Sequence, residues 1–150
     1  MMVPRVVVDA NIFISYLLVA NDSSGTIVQT FESISSGRYR LVRSDRLIAE
    51  IRKSVEHKPT LRARISDEDL EVLISLIEEV SIPSYRDPDA EVLHLLRDRK
   101  DNYLLEMAYD TDADYIVSGD RDLLDIRDQL ERPRILTARE FLELFEQMPT

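Results

Sequence analysis

A parallel α/β fold, with helices on both faces of its sheet, is what this sequence predicts, and three observations predict it. Residues 6–11, VVVDAN, run three β-branched residues straight into an acid and an amide with no polar alternation. Such a run suits a strand covered on both faces, as in a parallel sheet. The same grammar returns at residues 114–122, DYIVSGDRD, where Tyr115, Ile116 and Val117 give way to Ser118, Gly119, Asp120 and Asp122. Around these two runs, strand-like and helix-like segments alternate along the chain, which is the pattern of a sheet wound with helices on either side. Ligands of open α/β sheets bind in the crevice outside the carboxyl ends of the strands. Two strands are therefore expected to present acids to one crevice.

The elements follow in order. Residues 4–9 form the first strand, and helical stretches are expected at about 11–20 and 24–36. The segment Ile12 to Ala20, IFISYLLVA, is apolar enough to suggest a signal peptide, with Arg5 as a thin basic flank. Asp9 and Asn11 interrupt it, no small-residue cleavage pattern follows, and it falls short of the roughly 18 apolar residues of a membrane span. A buried first helix is the expectation. Residues 39–43, YRLVR, form strand two, and Ser44 caps a helix of about 45–57 with the stripe Leu47, Ile48, Ile51 and Val55. After Pro59 a helix is expected near 61–65. Ser66 with Asp69 is a short-acid variant of a capping box, opening a helix whose apolar residues are Leu70, Leu73, Ile74 and Ile77. A short strand near Val80–Ile82 stops at Pro83, and residues 89–97 read as helical. Asp101 opens a further helix with Leu104, Leu105 and Ala108. Strands at 114–118 and Arg134–Leu136 complete the sheet, and Thr137 with Glu140 makes a capping box for the last helix.

Composition narrows the chemistry. The 150 residues suit a single domain, 1–150, and a domain of this size buries roughly 68–70% of the surface its unfolded chain exposes. No linker, repeat or low-complexity tract divides it. With no cysteine, a disulfide framework, a thiolate zinc site and a cysteine nucleophile are all excluded, in keeping with a cytoplasmic location. The net charge of −10 runs against a general nucleic-acid binder, whose affinity for a polyanion comes from Lys and Arg. Metal ions can supply positive charge locally, however, and 16 of the 19 basic residues are Arg, whose fork matches phosphate oxygens.

Four carboxylates, Asp9, Glu50, Asp101 and Asp120, fall where such a sheet would bring side chains to one rim. Asp9 ends an apolar strand, where an acid is costly to desolvate unless it is paired, hydrogen-bonded or bound to a cation; capping the next helix is its other use. Asp101, with Asn102 beside it, sits at a helix start, where capping and the helix dipole favour an acid without any chemistry. Asp98 competes for that role. Glu50 lies roughly 60° outside the apolar arc of its helix at 100° per residue, so it borders the buried face and also suits a plain surface position. Asp120 and Asp122 double as turn and cap residues. Clustered carboxylates raise one another's pKa, and a hard divalent ion relieves the conflict. Mg²⁺ or Mn²⁺ suits oxygen ligands, whereas zinc would call for His or Cys. Only His57 and His94 are present, in no ligand pair, which also leaves a Ser-His-Asp triad improbable.

VVVDANIFIS, the glutamate of DRLIAEI, the helix start KDNYLLEMA, ADYIVSGDRDLL and the closing RILTAREFL together resemble a PIN-domain protein, of the kind found as the toxin ribonuclease of bacterial toxin–antitoxin pairs. The resemblance covers nearly the whole chain, and ADYIVSGDRDLL is its most specific part. It implies a three-layer α/β/α sandwich with a five-stranded parallel sheet and Mg²⁺- or Mn²⁺-dependent hydrolysis of RNA. It also implies a homodimer and a cognate antitoxin, while the short apolar run already argues for no membrane association. Matched motif to motif, the acidic metal-site residues fall on Asp9, Glu50, Asp101 and Asp120, with Asn11, Ser118 and Asp122 in support. Ser118 stands where threonine is common and keeps the hydroxyl. Arg46, Arg121 and Lys100 are candidates to steady a phosphate. Two rival classes remain, a PIN-like interaction module without catalysis and a magnesium-dependent phosphotransfer domain. The second fits poorly, because DANIF replaces the DxDx[TV] of an aspartyl phosphatase, and VSIPSY and RILTAR lack the Asp and Lys of a receiver domain.

Overall fold

A computed structural model of the chain describes residues 3–19, 36–84 and 102–146. Five strands form one all-parallel sheet: β1 (Arg5–Val8), β2 (Arg40–Arg43), β3 (Ser81–Pro83), β4 (Tyr115–Val117) and β5 (Arg134–Leu136), in the spatial order β3-β2-β1-β4-β5. The chain winds outward from β1 in both directions, so helices cover both faces and the architecture is a three-layer α/β/α sandwich. The center of the sheet is the VVV run read from the sequence: Val6, Val7 and Val8 are all buried, with Val7 beside Val42 on one side and Ile116 on the other.

The described helices are α1 (Ala10–Val19), α2 (Asp45–His57), α3 (Pro59–Arg64), α4 (Asp67–Val80), α5 (Asn102–Thr111), α6 (Arg121–Asp125) and α7 (Ala138–Glu146). Local sequence fixes most of their ends. Ser44 Oγ accepts the Leu47 amide at 3.1 Å and starts α2, whose Leu47, Ile51 and Val55 are buried. Ser66 Oγ does the same for the Asp69 amide at 3.0 Å at the head of α4, burying Leu70, Leu73, Ile74 and Ile77. At α7 the capping box is reciprocal, with the Thr137 amide donating to Glu140 Oε1 at 3.0 Å and the Glu140 amide to Thr137 Oγ1 at 3.1 Å. No described helix is long and apolar enough to cross a membrane.

Several boundaries differ from expectation for identifiable reasons. Pro59 opens α3 instead of delaying it, because a helix's first position has no use for an N–H. Pro83 lies within β3, which the topology makes an edge strand, where proline's missing donor does no harm. Helix α6 and the 3₁₀ turn at Arg127–Gln129 were not anticipated; both are too short to show a helical period. Helix α5 ends without a glycine. Asp112 takes the left-handed conformation, φ 56°, while the Ala113 amide reaches back to Ala108 O at 2.8 Å, which is a Schellman closure. The helices expected at 24–36 and 89–97 lie outside the described residues.

Candidate functional site

Asp9 follows β1 directly, and its amide donates to Val117 O at 2.9 Å, carrying the β1–β4 ladder one step beyond the strands. Ser118 does the same on the far side of β4, its amide donating to Leu136 O at 2.9 Å. The two residues are thereby set side by side at the carboxyl rim. Both are buried, Asp9 at 5% exposure and Ser118 at 0%. The Ser118 hydroxyl donates to Asp9 Oδ2 at 2.6 Å and accepts the Asp120 amide at 3.0 Å. Asp120 Oδ1 in turn accepts the Asp122 amide at 2.8 Å and caps α6. Asp9 Oδ1 accepts the Asn11 amide at 3.3 Å, so Asp9 also caps α1; the Asn11 side chain itself is exposed.

This chain of hydrogen bonds fixes the rotamers of two acids from adjacent strands without satisfying their charge. No Lys or Arg among the described residues pairs with Asp9 or Asp120. Burial pushes the Asp9 carboxyl above the ordinary carboxylate range; bonds from Ser118 and the Asn11 amide pull it back in part, and the negative charge of Asp120 pushes it up again. Because the native state then holds its proton more tightly than the unfolded chain, stability is highest below the unfolded pKa of about 4 and is lost as pH rises through the raised native value. In chelator, Asp9→Asn should remove that loss. Its stability relative to wild type should climb from about pH 4 toward neutrality and then level off, as read from urea midpoints. A difference that does not vary with pH would contradict the assigned cause.

Glu50 stands apart from this pair. It lies on α2, which packs against α1, and its Oε1 accepts Arg46 Nε at 2.8 Å with 28% of its side chain exposed. It makes no contact with Asp9 or Asp120 among the described hydrogen bonds. Asp101 lies outside the described residues. Among the described residues, no group of three or more His, Cys, Asp or Glu side chains is gathered closely enough to hold a metal. Among the described residues, two of the four acids, Asp9 and Asp120, are brought together. Their donor set still fits a hard cation: it is all oxygen, and Asp120 Oδ2 accepts nothing among the described residues.

Some features went unread in the sequence. The Arg46 guanidinium lies over the Tyr103 ring, 5.3 Å from its centroid, and Ser44 Oγ lies 3.1 Å from Met107 Sδ, so the start of α2 meets the first two turns of α5. Glu106, on α5, is also buried, at 8% exposure. Helical spacing marks the apolar face of α5 and says nothing of the residues opposite it.

Residues 5–122 match the family model described as the PIN domain. The chain belongs to the PIN-domain family. PIN domains are in general metal-dependent nucleases, and the matched span contains all seven residues of the expected site. In sequence the chain is also similar over 149 residues to an uncharacterized protein of Methanocaldococcus jannaschii, at 29% identity, covering 95% of this chain and 92% of that protein.

Proposed function

We propose that this protein is a Mg²⁺- or Mn²⁺-dependent endoribonuclease and the toxin of a toxin–antitoxin pair, acting as a homodimer in the cytoplasm and restrained by a cognate antitoxin. The observation that carries the nuclease proposal is the Asp9–Ser118–Asp120 array, with Asp9 and Ser118 buried and Asp120 half-buried, which sets two uncompensated carboxylates at the rim where α/β sheets bind ligands. Asp9, Asp101 and Asp120 hold the metal, and Glu50 ligates it or orders water. A bound divalent ion supplies a more acidic water, polarization of the phosphoryl group and stabilization of the leaving oxygen. Ser118 keeps Asp9 and the Asp120 backbone in one geometry, so the acids are placed before substrate arrives. The backbone amides of Asn11 and Asp122 donate to the capping carboxylates of Asp9 and Asp120 and help to hold them in place.

Purified protein should cleave a mixed-sequence RNA with Mn²⁺ or Mg²⁺ and stop when EDTA is added. A second reading, a PIN-like interaction module without catalysis, draws support from the acidic composition and from the absence of a three-residue metal cluster among the described residues. No cleavage at any divalent metal concentration would favor that module.

A further inference from the structure

We infer that Arg46 is the residue that positions the RNA phosphate at this rim, an inference that rests on the nuclease proposal. Its location follows from the topology. Helix α2 leaves β2 through Ser44 alone, so its first turn is at the carboxyl rim; α5 runs back toward the amino end of β4, so its first turn is at the same rim. Arg46 stands on one of these turns and Tyr103 on the other.

The guanidinium is held from two directions. Nε donates to Glu50 Oε1 at 2.8 Å, and the ring of Tyr103 lies 5.3 Å from Cζ. Both terminal nitrogens make no hydrogen bond to any described residue, and 45% of the side chain is exposed. A fork whose stem and plane are fixed while its outer donors meet no acceptor among the described residues is prepared for a bidentate phosphate contact, because little further side-chain freedom is lost on binding.

The other basic residues described near the rim are less suited. Arg43 spends its Nη1 on Ser81, at 2.7 Å to the carbonyl and 3.1 Å to the hydroxyl. Arg121 follows Asp120 but is exposed and has no described side-chain contact to order it. In a chain of net charge −10, an ordered cation at the same rim offsets the repulsion that the acids exert on the incoming backbone.

The test uses the full chain and fluorescein-labeled single-stranded RNA. Binding is followed by anisotropy in an Asp9→Asn background to prevent turnover, and cleavage kinetics are measured with Asp9 intact. Arg46→Ala should weaken binding about tenfold, and the slope of log affinity against log salt should become shallower by about 0.7, the value for one phosphate contact on a single strand. KM should rise with kcat within about a factor of two, Arg46→Lys should recover part of the loss, and thermal stabilization by Mn²⁺ should be undiminished. An unchanged salt slope would overturn the inference, as would a fall in kcat at constant KM, which would mean that Arg46 acts through Glu50. The same changes produced by Arg121→Ala instead would transfer the role to that residue. Failure of the unsubstituted protein both to bind and to cleave RNA would remove the nuclease proposal itself, and this inference with it.

Discussion

Asp9→Asn and Asp120→Asn are each expected to lower metal-dependent RNA cleavage by more than about a hundredfold, since loss of an outer partner of a metal ligand already costs 10–100-fold. The two acids come from adjacent strands and are joined through one serine hydroxyl, so either change disables the same unit. The double variant should then be scarcely worse than either single one, a gross failure of additivity that marks residues acting together. Both single variants should remain folded, because each replaces a charge by an isosteric amide and relieves repulsion between the two carboxylates. Wild-type cleavage by either variant would place any nuclease activity elsewhere. Fully additive losses would mean that the two acids do separate work.

At the other end of the sheet, Phe141→Ala is expected to reduce stability by about 3–5 kcal/mol, the usual range for a fully buried phenylalanine. Phe141 is 0% exposed. It meets Tyr39 edge-on at a centroid distance of 5.1 Å and tilts against Tyr115 at 6.2 Å and Phe145 at 6.3 Å, so truncation removes ring contacts from both α7 and the amino ends of β2 and β4. A domain with about 5–15 kcal/mol in hand has little left after such a loss. Urea denaturation checks this, and a change under about 1 kcal/mol would show that the cluster repacks. Tyr39 and Tyr115 lie at the amino rim, away from Asp9, so cleavage per folded molecule should be unchanged.

What the sequence could disclose depended on how local each cause was. An unalternating β-branched run ending in an acid is a local signal, and β1, β4 and the position of Asp9 at the end of β1 followed from it; that Asp9 lies beside Ser118 depends on the pairing of β1 with β4, which no local pattern states. Serine and threonine caps are equally local, and the starts of α2, α4 and α7 were legible to within a residue. Glu50 was harder: a helical wheel places it at the border of the buried face but cannot say that Arg46, one turn earlier, occupies its carboxylate. The stacking of Arg46 on Tyr103 joins two helices distant in sequence and leaves no periodic trace. The left-handed Asp112 was hidden for a different reason, since the usual glycine mark of a helix end is missing. Asp101 rests on motif matching alone.

The central claim is that the Asp9–Ser118–Asp120 array belongs to a divalent-metal site, and metal-dependent thermal stability tests it most directly. An ion that binds only the assembled site should add roughly 2.7 kcal/mol at a hundred times its dissociation constant. Wild-type protein should therefore melt at a clearly higher temperature in saturating Mn²⁺ or Mg²⁺ than in chelator, while Asp9→Asn should show little or no gap. Superimposable wild-type melts at saturating metal would contradict the account.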